Sequence, residues 1–171
     1  MPSPRQKCGE IVSAFDRISV LQYKTKGANQ MDATCAYCVE GKLLDKFGIK
    51  ICEMETSKVY LFKEQSHEGR VVVAHKKHVS EMIELSDEER NAYFAEVNRV
   101  AKALHAVFHP EKINYGAYGD TGHHLHFHLV PKYRDGAEWG GTFAMNPDQV
   151  YFDEKKNAEL IDRIRQALQV K

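Results

Sequence analysis

Four histidines fall within six positions of "GDTGHHLHFHLVPKY" (residues 119 to 133), in a chain that has nine in all. Three of them, His124, His126 and His128, stand at every second position. On a β-strand they share one face, and Leu125, Phe127 and Leu129 share the other. A neutral imidazole that donates from Nδ1 to a carbonyl presents the lone pair of Nε2, a nucleophile able to attack phosphorus without prior deprotonation. His126, the central member, is the candidate. A competing chemistry is that all three rings bind a cation. His123 is out of register and is expected to face the other way.

A second set emerges when cysteine and histidine are considered together. Cys35 and Cys38 form a C-x-x-C, and with His78 and His124 they make two thiolates and two imidazoles, enough to close a tetrahedral zinc site. The spacing is too long for a zinc finger, so such a site would tie elements of a larger fold together. A redox role for the pair is disfavoured because no thioredoxin-like parallel unit surrounds it. Cys8 and Cys52 read as buried small hydrophobes. Asn114, Asp120 and Thr121 are polar groups able to hold phosphate oxygens, and Gly116, Gly119 and Gly122 allow close backbone approach. Arg70, Lys132 and Arg134 offer positive charge but read as solvated surface.

The elements that must position these groups follow from periodicity. "IKICEM", "KVYLFK" and "GRVVVAH" are β-prone runs that suggest a meander of adjacent strands. Ser86 to Glu89 fits a capping box. Behind it Tyr93, Phe94, Val97, Val100, Ala101, Leu104, Val107 and Phe108 recur at helical steps until Pro110. "KINYGAY" and "HLHFHLVP" are two more strands, and "EKKNAELIDRIRQALQ" is a closing amphipathic helix. An N-terminal helix is expected over residues 9 to 21. This order favours α+β, with an antiparallel sheet of about five strands, a long helix packed on it and helical extensions at both ends.

Composition narrows the class further. The chain has 171 residues, 43% of them hydrophobic, which suits one domain over 1–171 with a core at about 33–134 and extensions at 1–32 and 135–171. Lys plus Arg equals Asp plus Glu at 24 each, so no broad cationic field exists to hold nucleic acid by counterion release. No apolar run approaches the ~20 residues that span a bilayer, and the start lacks a hydrophobic signal core; a cytoplasmic protein without membrane association is expected. "GAEWGGTFAMNP" carries Trp139 and Phe143, flat enough to stack on a base; the alternative is a tail packed on its own domain or on a dimer mate.

The run His124-Leu125-His126-Phe127-His128-Leu129-Val130 resembles the signature of the histidine triad (HIT) family. "GRVVVAHKKHVSEMIELSDEER" is similar to that family's strand, basic corner and helix, "KINYGAYGD" to its glycine-rich turn, and "CAYC" to the zinc-binding pair of many members. The resemblance implies a HIT-like fold, a homodimer joined through its sheets, and hydrolysis or transfer at the α-phosphate of a nucleotide. It implies that His126 becomes nucleotidylated, that His128 supports the leaving group or phosphate, and that Asn114, Gly119, Asp120 and Thr121 lie at the substrate. Cys35, Cys38, His78 and His124 would hold a structural Zn2+. Dinucleoside polyphosphates and nucleoside phosphoramidates are the implied substrate classes; the alternative is a nucleotide-binding regulatory module with little turnover. Three departures bear on substrate. Gly69-Arg70 stands where a Gly-His pair is common, so the family's fourth histidine is missing. Phe62-Lys63-Glu64-Gln65 lacks the usual ribose-binding Asp, and Asp120 replaces a glutamine.

Overall fold

The computed structural model describes residues 31–120, 122–147 and 149–170. The expected helix over 9–21, Cys8 and Thr121 lie outside the described residues. In chain order the elements are α1 (Ala36–Val39), a 3-10 turn (Gly41–Lys46), β1 (Gly48–Glu53), β2 (Ser57–Phe62), β3 (Val71–His75), a second 3-10 turn (Met82–Glu84), α2 (Asp87–Phe108), β4 (Lys112–Gly116), β5 (His126–Lys132) and α3 (Glu154–Leu168).

The strands form one antiparallel sheet in the order β1-β2-β3-β5-β4. The meander runs from β1 to β3. The chain then passes through α2 to the outer strand β4 and returns as β5, which lies between β3 and β4. The strand of the histidines therefore has a ladder on each side, with Ala74 opposite His126 and both Val72 and Gly116 opposite His128. An interior strand is the most constrained mount a sheet offers, because a one-residue slip would turn every side chain to the wrong face.

The expected α+β class is thus observed, with α2 and α3 packed on one face of the sheet. Ser86 caps α2 as anticipated: its hydroxyl accepts from the Glu89 amide at 3.2 Å, and the Glu89 carboxylate accepts from the Ser86 amide at 3.3 Å. The helix ends where His109 takes a left-handed conformation (φ 50°), just before Pro110. Tyr93, Val97, Val100 and Leu104 meet Val59, Leu61, Val71, Val73, Phe127 and Leu129 in a continuous core, and Leu160, Ile161, Ile164 and Leu168 of α3 extend it. Phe94 of the expected stripe remains 40% exposed, although its ring lies 5.5 Å from that of Phe127. Glu96 ties α2 to the β1-β2 turn by accepting from the Thr56 amide at 3.0 Å and the Ser57 hydroxyl at 2.5 Å. Arg165 donates from Nε to the Ile51 carbonyl at 2.7 Å, fixing α3 to the sheet. No helix among the described residues is long and apolar enough to cross a membrane.

The opposite sheet face carries a smaller apolar cluster of Leu44, Tyr60, Phe62, Val72 and Ala74, flanked by Tyr37 and Phe47. His126 and His128 emerge on this side. Phe127 holds their strand against α2 from beneath, so Phe127→Ala is expected to lower unfolding stability by about 3 kcal/mol or more in urea titration. Its native state should keep the same far-UV circular dichroism.

Candidate active site and metal cluster

α1 is a single turn, and it brings Cys35 and Cys38 to the basic corner after β3 and to the segment entering β5. Cys35 Sγ lies 3.3 Å from His124 Nδ1, Cys38 Sγ lies 3.2 Å from His78 Nδ1, and the two Nδ1 atoms are 3.3 Å apart. Cys38 Sγ is 3.6 Å from His124 Nδ1. Metal bonds of about 2.0–2.3 Å give tetrahedral edges of about 3.3–3.8 Å, and these four separations are compatible with such a site. All four ligand atoms fall within 4.8 Å of one another. The ring of His124 is oriented for this role: its Nε2 donates to the His75 carbonyl at 2.7 Å, leaving the Nδ1 lone pair for the cluster. The Asp32 carboxylate stands 3.9 Å from His78 Nε2 and also borders the cavity beside the cluster.

His124 occupies a bend just before the strand, which begins at His126. Its carbonyl accepts from His126 Nδ1 at 2.6 Å. Since a carbonyl can only accept, the proton of neutral His126 sits on Nδ1 and Nε2 is bare. Burial holds this imidazole below its ordinary pKa, which favours the neutral ring. His128 follows on the same face, its ring 5.2 Å from that of His126 and steeply inclined to it. Burial, with a smaller contribution from the Arg70 charge, pushes His128 down to about 3.

These two rings form part of the wall of a cavity of about 820 Å³, a size that accommodates a small organic ligand such as a nucleotide. Tyr37 closes one side, its ring 5.0 Å from His126 and 5.1 Å from His124. Phe143 and Met145, from the segment after β5, close the other. Phe143 thus lines the site. Trp139 is not part of this wall and instead lies under the Arg134 guanidinium, 5.3 Å from its ring.

The sequence-derived candidates divide accordingly. Cys35, His78, His124, His126, His128 and Asp120 all border the cavity, and Cys38 completes the metal cluster behind it. His123 also borders the cavity, contrary to expectation, because it precedes the strand and the alternation does not yet apply. Asn114 faces the same side of the sheet as His128 but lines an adjoining cavity of about 280 Å³. The two cavities share Tyr118, Thr142 and Phe143. The Tyr118 and Phe143 rings lie over Gly116, where a Cβ would come within 2.3 Å of Tyr118 and 2.8 Å of Phe143. Gly119 is half-buried at the turn and does not border the main cavity.

Two of the basic residues expected at the surface are buried. Lys132 donates from Nζ to the Glu138 carbonyl at 2.7 Å, and Arg70 lies fully inside beside His128. Tyr37 was not signalled either, beyond its place between two cysteines.

Residues 49–135 match the family model of the HIT domain, half of the chain. The chain belongs to the HIT family. This HIT protein is 26% identical over 113 residues to "Protein hit" of Bacillus subtilis (strain 168), an alignment covering 63% of this chain and 78% of that one. It is 29% identical over 130 residues to the adenosine 5'-monophosphoramidase hnt1 of Schizosaccharomyces pombe, covering 68% and 90% respectively. Among solved structures, a histidine triad protein from Bradyrhizobium japonicum superimposes with a TM-score of 0.69 at 21% identity, covering 75% of this chain and 96% of the other. A Zn-bound histidine triad family protein from Mycobacterium smegmatis gives 0.56 at 20% identity, covering 80% and 94%. These structural likenesses establish the fold. The matched domain begins after the C-x-x-C, so the case for the metal cluster in this HIT protein stands on its own donor geometry.

Elemental analysis of the purified HIT protein is expected to find about one zinc per chain. Cys38→Ser should lower that content and the thermal midpoint together, and a chelator should destabilise the wild type more than it does Cys38→Ser.

Proposed function

We propose that this HIT protein is a nucleotide hydrolase that acts at an α-phosphate through a covalent nucleotidyl intermediate on His126. The observation that carries the reading is the bare Nε2 of His126, held at the wall of a nucleotide-sized cavity by the Nδ1 hydrogen bond to His124. In the first half-reaction the Nε2 lone pair forms a bond to the α-phosphorus, and the bond from phosphorus to the leaving group breaks. The leaving group departs with that electron pair and takes up a proton. Water then attacks the same phosphorus, the P–N bond breaks, and its electrons return to Nε2 as the mononucleotide is released. Positive charge that develops on His126 during attack is stabilised through Nδ1–H by the His124 carbonyl. His128, beside it, supports the phosphate or the leaving group; Asp120, Gly119, Thr121 and Asn114 are the proposed substrate contacts around the turn.

Nucleoside phosphoramidates and dinucleoside polyphosphates both present the required phosphorus. The relative named as an adenosine 5'-monophosphoramidase supports the first class. Cys35, Cys38, His78 and His124 would hold Zn2+ in a structural role, which fixes α1 and the His124 backbone and leaves the chemistry to His126. We further propose one domain over 1–171 with its core at 33–134, a cytoplasmic location, and a homodimer formed through the sheets. For the dimer, β4 is an outer strand with Tyr115 exposed on it. Zero net charge supports a small nucleotide as partner in preference to nucleic acid.

Wild type incubated with adenosine 5'-phosphoramidate or diadenosine polyphosphates and quenched rapidly should show a nucleotidyl adduct by intact mass. His126→Ala should show none, and its turnover should fall by about a thousandfold or more at an unchanged thermal midpoint. Tight mononucleotide binding by wild type with neither adduct nor turnover would instead make the protein a regulatory nucleotide-binding module.

A further inference from the structure

Arg70 is fully buried, yet among the described residues no carboxylate pairs with it. Its guanidinium lies 4.0 Å from the Phe62 ring centroid and 5.1 Å from that of Phe143. Nη1 donates to the Ala144 carbonyl at 3.4 Å, Nη2 approaches Met145 Sδ at 3.1 Å, and Nε has no partner. The negative charges of Glu64 and, more weakly, Glu138 compensate it in part, and burial still draws the guanidinium down to about 10. An under-compensated cation in an apolar setting is costly, so its contact with a triad histidine on the cavity side calls for an account.

That contact is between Nη2 and His128 Nδ1, at 3.2 Å. A guanidinium has five donors and no acceptor, so Nδ1 must accept. We propose that Arg70 is a positioning residue that locks the proton of His128 on Nε2, so that the cavity meets a bare nitrogen on His126 and an N–H on His128.

The two rings, 5.2 Å apart, are thereby held in opposite tautomers by different partners: a backbone carbonyl for His126 and a guanidinium for His128. One ring can attack phosphorus, and the other can donate a hydrogen bond to a phosphate oxygen or to the leaving atom. The positive charge behind His128 polarises the ring and strengthens its Nε2–H as a donor. It also opposes a second proton on the same ring, in the same direction as burial. His128 then acts by hydrogen bonding and does not itself transfer a proton; the proton for the leaving group comes from solvent water, and the water that attacks the P–N intermediate returns one to solvent. A lysine could not reproduce the arrangement fully, since a point charge lacks the planar fork that lies against Phe62 while reaching Nδ1.

The consequence for turnover rests on the hydrolase reading, whereas the place of the proton does not. Long-range 1H–15N correlation spectra of the metal-loaded full chain, with His128 assigned by His128→Gln, should show Nδ1 unprotonated and Nε2 protonated in the absence of substrate. A wild-type spectrum with the proton on Nδ1, or on both nitrogens near neutral pH, would overturn the proposal whether or not any variant folds. In Arg70→Met the His128 signals should move toward the other tautomer or the doubly protonated ring, and Arg70→Lys should restore the wild-type pattern in part. With adenosine 5'-phosphoramidate, Arg70→Met should lower kcat by about tenfold to a hundredfold with little change in KM. The same substitution in a His128→Gln background should cost almost nothing further; an equal loss in both backgrounds would show that Arg70 does not act through His128. A wild type that turns over no phosphoramidate or polyphosphate would remove the hydrolase reading and leave the spectrum to decide the tautomer.

Discussion

The hydrogen bond from His126 Nδ1 to the carbonyl of His124 is the constraint on which the site depends. Its acceptor is a backbone carbonyl two residues away, at the bend just before the strand, so only the donor side chain has to be ordered to keep it. The same residue is held by its ring as well, with Nε2 on the His75 carbonyl and Nδ1 toward the thiols. One bend in the chain therefore serves two purposes: its imidazole faces the metal cluster, and its peptide orients the neighbouring ring. Adjacent histidines with the same side chain are given different chemistry by what each nitrogen touches.

The sheet makes that division durable. β5 is bonded on both edges, and the helix-facing side chains Phe127 and Leu129 are buried among α2 residues, so rotation of the strand would expose a large apolar area. On the other face the histidines are enclosed by aromatic rings: Tyr37 on one side, Phe62 below His128, and Phe143 across from it. A polar site with apolar walls has weak dielectric screening, which strengthens each oriented dipole and also keeps the imidazoles neutral.

Much of this was legible in the residue order. The period-two histidines, the Ser86 capping box, the stripe of α2 and the closing helix all depend on neighbours a few positions apart, and local periodicity reports such relations directly. The clustering of Cys35, Cys38, His78 and His124 was legible because two thiolates and two imidazoles together suit one tetrahedral metal site. What escaped was decided by long-range pairing. The placement of β5 between β3 and β4 is a choice of strand neighbour that no local pattern encodes. Arg70 belongs to a residue class that is usually solvated, and only its approach to a ring 58 positions later reveals its burial. Tyr37 and Phe143 reach the site from segments on either side of the matched domain. Asn114 stands out in the sequence only as a polar group for phosphate, and the adjoining cavity that it lines with Tyr118 and Phe143 is a long-range arrangement that its residue type could not foresee.

The turn that carries Cys-Ala-Tyr-Cys has no fully buried residue of its own. Its attachments reach across 89 positions to His124 and 40 to His78. Such contacts close very long loops, and their entropic cost is tolerable only after the sheet has brought His78 and His124 together. Docking of α1 thus depends on a sheet that has brought His78 and His124 together, and Tyr37, carried on α1, encloses His126 only where that docking holds.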